Sequence, residues 1–469
     1  MEKVKKFKEI RIPKLWEALV PIIGMMVIII VGILKYELEP HIPIVLACVL
    51  ASFMAVRLGF SWNNILKGML QSIYRAMEAL IIVMIVGMLI GTWVSSGTVP
   101  AMVYYGLGLI SPTIFLPTGA ILCAIVSVAT GSAWTSSGTV GIALMSIAAG
   151  LGINPALAAG MVISGAYFGD KLSPLSDSTN VAAATAEAPL YEHVGAMLST
   201  TLPSFIISLI IYGIIGFKIG GGNFDPGRVE LIRSTIFENF NINIWLLIPP
   251  LFVIIAAIKK VPSIPSLLAA SGLGGIFAMI FQGRGLGEVL LNFHYGFKGN
   301  TGVEIVDKLL NRGGLNSMMW TISLIIFALA FGGILEKAGF TEVILGSLVK
   351  RVKSLGGLVS LTIITGILGD FVLTDQYLSI IVPGRMYAKA YDERNLDRKF
   401  LSRTLEDGGT MWSALVPWNG CGAYQAATLG VATFSYLPYA FMNLINPIVA
   451  ITFTYLGIFV FYKNKNKNK

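Results

Sequence analysis

Gly165-Ala-Tyr-Phe-Gly-Asp-Lys-Leu-Ser-Pro-Leu-Ser-Asp-Ser-Thr-Asn180 lies inside an otherwise apolar segment, residues 155–188. It places two aspartates, a lysine, a proline and a run of hydroxyls where an uninterrupted helix would be expected. Three further apolar segments are broken in the same way. Residues 113–151 contain Thr130-Gly-Ser-Ala-Trp-Thr-Ser-Ser-Gly138, and residues 357–386 contain Gly369-Asp-Phe-Val-Leu-Thr-Asp-Gln376. Residues 400–429 contain Glu406-Asp-Gly-Gly-Thr-Met-Trp-Ser-Ala-Leu-Val-Pro-Trp-Asn-Gly420. In hydrocarbon an unpaired backbone group costs several kcal/mol, so a broken helix survives only where it is buried in protein or lines a polar cavity.

The whole composition places these segments in a membrane. Of 469 residues, 55% are hydrophobic and 13% charged, about half the ~25% charge of an ordinary soluble domain. The mean hydropathy is +0.76. A helix crossing the bilayer core needs about 20 apolar residues, and uninterrupted candidates fall at 16–34, 42–56, 77–93, 194–217, 244–258, 263–281, 318–335 and 437–461. The basic start before residue 16 resembles a signal peptide, but the run that follows is long enough to span, and we read it as an uncleaved first helix. Cys48, Cys123 and Cys421 lack metal-ligand spacing and read as buried free thiols. His41 and His193 fall at span ends and His294 in a loop. The net charge of +9 reports loop orientation here, not nucleic-acid binding. No phosphate-binding Gly-rich loop and no catalytic constellation is present, so an ATP-driven pump or an enzyme is not expected.

The chain also repeats itself. Gly169, Ser173 and Leu175 align with Gly409, Ser413 and Leu415, and Gly131 aligns with Gly369. Gly91 and Gly97 align with Gly333 and Gly339, and Pro203 and Gly213 with Pro447 and Gly457. The matches are collinear, so two halves are expected: a first transmembrane repeat at 15–220, a linker at 221–242 and a second repeat at 243–462. Basic segments at 1–14 and 463–469 flank them. If 113–151 and 357–386 are re-entrant hairpins, each half has five crossings and the second half is inverted. Residues 1–14, 57–75, 259–260, 337–353, 385–403 and 463–469 then lie on one side and hold 25 of the 34 Lys and Arg. The positive-inside rule makes that side cytoplasmic, with both termini on it. The expected fold is therefore an all-α polytopic membrane protein of two inverted repeats with re-entrant hairpins and broken helices.

Paired broken segments in two related halves point to the central site of a secondary transporter. Charge at mid-bilayer costs about 2.5–3.5 kcal/mol on insertion scales and marks ion pathways. The candidate cation- and proton-binding residues are Asp170, Asp177, Asp370 and Asp375, with Thr135, Ser136, Ser178, Thr179, Asn180 and Thr374. Asp177 and Asp375 are the proposed Na⁺ ligands, since each has hydroxyl neighbours and no adjacent base. Lys171, Glu406, Asp407 and Asn419 are candidates for tuning a carboxylate or binding an anion. Structural readings stand beside these: a Lys171–Asp170 ion pair, Glu406 and Asp407 at a cytoplasmic rim, Glu78 as an interfacial charge, and the hydroxyls as helix caps.

The stretch Gly165 to Asn180, together with Asp375-Gln-Tyr-Leu-Ser379, Pro383-Gly-Arg385, Leu401-Ser-Arg-Thr-Leu-Glu-Asp-Gly408 and Val416-Pro-Trp-Asn-Gly-Cys-Gly-Ala-Tyr424, resembles the NhaC family of Na⁺/H⁺ antiporters, a branch of the ion transporter superfamily. The resemblance covers nearly the whole chain. It implies exchange of Na⁺ for H⁺ by alternating access in a cell membrane, with no cofactor. The family also holds a malate/lactate antiporter, so Na⁺- or H⁺-coupled exchange of small carboxylates is the alternative. The expected partners are Na⁺, H⁺ and the lipid bilayer, with malate- or lactate-like anions and a homodimeric copy as further candidates.

Overall fold

A computed structural model describes residues 10–109, 111–220, 226–259, 261–349 and 354–463. Residues 1–9 of the basic start, residues 221–225 of the linker and residues 464–469 of the tail lie outside the described residues. Within them the chain is helical, and the pairing of β type is a single bridge between Leu396 and Tyr462.

Among the described residues six helices are long and apolar enough to cross a membrane: Leu15–Gly32, Pro112–Thr130, Leu190–Ile219, Ser263–Gln282, Leu315–Lys337 and Leu355–Val372. The number rises to 9 when bent pairs such as Thr433–Tyr439 with Phe441–Tyr455 count as one span each. The outside of these helices is apolar: Ile23, Val27 and Ile30 are exposed on the first, and Ile206, Ile210 and Ile214 on the third. Lys171, Arg403, Glu406 and Asp407 are fully buried. Apolar side chains outside and charges within are what a bilayer solvent requires. The chain is a polytopic membrane protein.

Local signals set the helix ends. The first helix, Leu15–Tyr36, starts where Glu17 turns back to accept the Lys14 N–H at 3.0 Å. Its carboxylate is buried beneath Arg11, at 2.5 and 2.7 Å, so this end is tied down by charge-assisted bonds. Pro155–Leu172 opens with Asn154 accepting from the Ala156 N–H at 2.8 Å and Pro at the first helical position.

The order of elements occurs twice. Met77–Ser95 and Thr98–Leu109 are followed by a helical hairpin, Pro112–Thr130 with Ala133–Gly150. A broken helix, Pro155–Leu172 with Asp177–Ala186, comes next, and then Leu190–Gly220. The same series returns as Met319–Lys337, Phe340–Val349, the hairpin Leu355–Val372 with Gln376–Asp392, a second broken helix and the bent pair ending at Tyr455. The second broken helix runs from Arg398 through a π-turn, Glu406–Thr410, to Ser413 and resumes as Gly420–Leu429.

Two features are not part of the sequence expectation. The 19 residues of Pro112–Thr130 span about 28 Å at 1.5 Å per residue, longer than a half-crossing limb. Two amphipathic helices, Trp62–Arg75 and Leu286–Tyr295, occupy stretches expected as loops.

The first hairpin and the first broken helix are locked by small residues. A Cβ on Gly165 would sit 2.2 Å from the Ala120 carbonyl oxygen, and one on Gly169 2.4 Å from that of Ala124. Such close backbone approach is how helices associate where hydrophobic burial gives no advantage. Gly165→Val or Gly169→Val is therefore expected to force the two helices apart and destabilise the protein by about 3 kcal/mol, the upper end of overpacking costs. Thermal unfolding in detergent, read beside the conservative control Ala159→Gly, checks this.

Candidate functional site

Every interruption in the two hairpins and the two broken helices contributes to one cavity of about 210 Å³. Gly131, Ser132 and Thr135 come from the first hairpin, and Thr374, Asp375, Gln376 and Tyr377 from the second. The broken helices supply Asp170, Ser176, Asp177 and Ser178 from one half and Asn419, Gly420 and Cys421 from the other. The facing wall holds Arg75, Glu78, Ile82, Val86, Ser263, Leu267 and Leu329.

Helix ends explain this lining. Four helices begin at the cavity, with Ser132, Ser176, Asp375 and Asn419 as their N-cap residues. Ser132 Oγ accepts from the Thr135 N–H at 3.2 Å, Asp375 Oδ1 from Leu378 at 2.8 Å and Asn419 Oδ1 from Cys421 at 3.0 Å. The tips turn sharply. Gly131 sits at φ +67° and Thr374 at φ +57°. For a β-branched residue that conformation costs on the order of 1–3 kcal/mol and persists only where its surroundings enforce it. The Gly420 N–H donates to the Thr374 carbonyl at 3.1 Å, one of the bonds that hold it.

Asp170, Asp177, Asp375, Thr135, Ser178, Thr374 and Asn419 thus meet at the cavity. The other expected residues are spent elsewhere. Ser136 Oγ donates to the Cys123 carbonyl at 3.0 Å. Thr179 Oγ1 donates to the Lys171 carbonyl at 3.1 Å, and Asn180 Nδ2 to the carbonyls of Pro174 and Ser176 at 3.0 and 2.7 Å. Ser136 ties the two limbs of the first hairpin together, and Thr179 and Asn180 stitch the first break. Asp370 is buried behind the second tip, where Oδ1 accepts from Asn419 Nδ2 at 3.2 Å and Oδ2 has no partner.

Lys171 does not pair with Asp170. Its ammonium bonds Asp407, and Asn446 Oδ1 at 2.6 Å, across the two halves of the chain. Asp407 also accepts from Thr200 Oγ1 at 2.9 Å and lies 3.4 Å from Arg403 Nε. Lys171, Arg403 and Asp407 are all fully inaccessible. Glu406 beside them is equally buried with both carboxyl oxygens unpartnered. Glu406 and Asp407 are therefore interior residues, not members of a rim, and Arg403 belongs with them rather than with exposed basic residues. His193 lies in the first turn of Leu190–Gly220, at a span end as expected, and is buried with neither ring nitrogen bonded.

Sequence reasoning missed Arg75 and passed over Glu78, both cavity-lining, because a charge next to a span end looks interfacial. It also missed the stacking of Trp134 on Tyr424, with ring centroids 4.1 Å apart and planes at 10°. Tyr424 Oη donates to the Trp134 carbonyl at 2.8 Å, joining a broken helix of the second half to the hairpin of the first. Among the described residues no group of three or more His, Cys, Asp or Glu could hold a metal ion. A cation between the carboxylates here would complete its shell with hydroxyls, backbone carbonyls and water, as suits a hard ion that must also leave.

Comparison with known proteins agrees with this architecture. The family described as the Na+/H+ antiporter family matches residues 165–458. The chain is 40% identical over 466 residues to the malate-2H(+)/Na(+)-lactate antiporter of Bacillus subtilis, covering 98% of this chain and 99% of that one. It is 39% identical to the Na(+)/H(+) antiporter NhaC of Alkalihalophilus pseudofirmus, over 95% of this chain and 96% of that one. It is 36% identical to the arginine/ornithine antiporter ArcD of Halobacterium salinarum, over 97% and 95% of the two chains. The chain belongs to the NhaC-type Na⁺/H⁺ antiporter family, a family of membrane transporters and not of enzymes.

Proposed function

We propose that the protein is a secondary antiporter that exchanges Na⁺ for H⁺ at the cavity where the four interruptions meet. The observation that carries this reading is the presence of Asp177 and Asp375, one from each half, in one cavity lining. Asp170 stands with them, and Thr135, Ser178 and Thr374 supply hydroxyl oxygens. A carboxylate partly withdrawn from water binds either a small cation or a proton, and this exclusion alone couples the two fluxes. Family membership and the NhaC relatives support the choice of ions.

The same reading takes the two element series as inverted repeats, 15–220 and 243–462, in a cell membrane with cytoplasmic termini. It takes the hairpins as re-entrant despite the length of their limbs. In support, the Gly131 tip packs on Leu175, in the break of the adjoining helix, at a place that a Cβ would fill at 2.7 Å. On this reading, which takes the broken helix to cross the membrane, a tip seated against its break lies within the bilayer. Alternating access then needs the hairpins and broken helices to shift against the wall that holds Arg75 and Leu267.

A second reading, exchange of a small carboxylate, has one specific observation in its favour. Four helix N-termini open on the cavity, and helix N-termini favour anionic groups. The malate/lactate relative fits it. The two readings separate in proteoliposomes with imposed Na⁺, pH, malate and lactate gradients. Na⁺-dependent collapse of ΔpH without labelled malate or lactate uptake supports the first, and carboxylate uptake coupled to either ion supports the second.

Under the first reading, Asp177→Asn and Asp375→Asn each abolish Na⁺-dependent ΔpH dissipation while protein yield and monodispersity stay at the parent level. Activity surviving in both variants overturns the assignment. The buried ion cluster has its own expected outcome. Asp407→Asn leaves Lys171 and Arg403 without their shared carboxylate and destabilises the protein by about 3–5 kcal/mol, the cost of breaking a buried pair. Thr200→Ala, which removes a neutral hydroxyl shared between Asp407 and the Met197 carbonyl, costs about 1 kcal/mol. Denaturant titration in detergent ranks the two.

A further inference from the structure

Among the described residues Arg75 is the single basic side chain in the cavity lining. It ends Trp62–Arg75, an amphipathic helix packed on Met319–Lys337. Its guanidinium makes a two-pronged contact with Glu336 in the last turn of that second helix, with Nη1 to Oε1 at 3.2 Å and Nη2 bonded to Oε2. Both partners are open to solvent, at 40% and 42% relative side-chain exposure. An ion pair so exposed is worth no more than about 1 kcal/mol and is readily exchanged for another. An alternative carboxylate shares the cavity lining. Asp375 lines the same cavity, and the charges of both Arg75 and Glu336 act on it. Asp375 is also secured by its own helix, through the Leu378 N–H, so it stays in place whichever cation faces it.

We propose that Arg75 is a tethered counter-cation that competes with the transported cation for Asp375. With the cation bound, the guanidinium rests on Glu336. With the cation gone, it turns to Asp375 and neutralises it, so the emptied site is not left as an uncompensated charge at a low-dielectric wall. Arg75 and Glu336 thereby set cation affinity without being ligands themselves. The inference rests on Asp375 being a cation ligand, as proposed above.

The test uses the full chain in proteoliposomes and reads the Na⁺ KM from ΔpH dissipation. Arg75→Gln and Glu336→Gln destroy the same ion pair, so a purely structural tie predicts shifts of the same sign. Competition predicts opposite signs. Arg75→Gln removes the competitor and lowers the Na⁺ KM. Glu336→Gln removes the competitor's resting place and raises it. Each shift is about fivefold, the factor that ~1 kcal/mol makes in a binding constant. The Glu336→Gln effect also vanishes in the Arg75→Gln background. Shifts of the same sign, no shift in either variant, or an undiminished Glu336→Gln effect in the double variant overturns the proposal. If Arg75→Gln does not yield folded protein, Arg75→Met is the neutral replacement. Asp375→Asn separates the layers. Loss of Na⁺ dependence there with same-sign shifts above refutes only the role of Arg75, whereas an unchanged Na⁺ KM refutes Asp375 as a ligand.

Discussion

A peptide N–H or C=O left unpaired in hydrocarbon costs several kcal/mol, and the interior of this protein is arranged around that cost. Among the described residues, four interruptions line the cavity, and each is closed locally before it faces that space. Ser173 Oγ donates to the Val128 carbonyl at 2.8 Å, joining the first break to its hairpin. Asn419 Nδ2 reaches the Asp370 carbonyl at 3.3 Å, and Gly420 reaches Thr374, doing the same in the second half. Each hairpin tip is thus bonded to the break that follows it in sequence. What remains open is polar backbone and carboxylate turned to one shared space, the arrangement in which irregular backbone is tolerated at membrane depth.

The two halves are then fastened to each other by polar contacts. Lys171 meets Asp407, Tyr424 meets Trp134, and Tyr212 Oη donates to the Tyr439 carbonyl at 2.6 Å. All of these join hairpins, broken helices and the helices that follow them. The wall with Arg75, Glu78 and Leu267 is made of other helices and meets the tips across the cavity. Lys171 and Arg403 share Asp407, with Glu406 alongside, so the fastening carries desolvated charge. A buried pair of this kind contributes little net stability but is costly to break. That suits an element whose parts must stay in register.

Much of this was legible because the bilayer makes charge and backbone irregularity expensive. Asp170, Asp177 and Asp375 stood out as carboxylates inside apolar segments, and all three line the cavity. The polar partner of Lys171 was not legible, because Asp407 lies 236 residues away and only the fold brings it near. Arg75 and Glu78 were hidden for the opposite reason, since charges flanking an apolar run are commonplace. The helix Trp62–Arg75 escaped because its apolar face is a stripe and not a run. Register failed in an instructive way. Matching by identity sets Gly131 against Gly369, but by place in the hairpin Gly131 corresponds to Thr374. Both precede an N-cap residue in left-handed backbone, at φ +67° and +57°. The conformation recurs where the residue does not.

That correspondence bears on where a cation would sit. By position in their helices, Ser132 answers to Asp375 and Ser176 to Asn419. Asp177, the first residue after Ser176, answers to Gly420. Apart from Glu78 in the wall, the first half therefore carries its cavity carboxylates on the broken helix, as Asp170 and Asp177, and the second carries Asp375 on the hairpin tip. The backbone ends are duplicated, but the charges are not. Two identical half-sites would each hold a cation alone. A site whose acids come from different element types in the two halves is complete only when the halves meet. On the proposed function, that makes cation binding report on the packing of the halves, so ion occupancy and conformation are coupled through the same carboxylates.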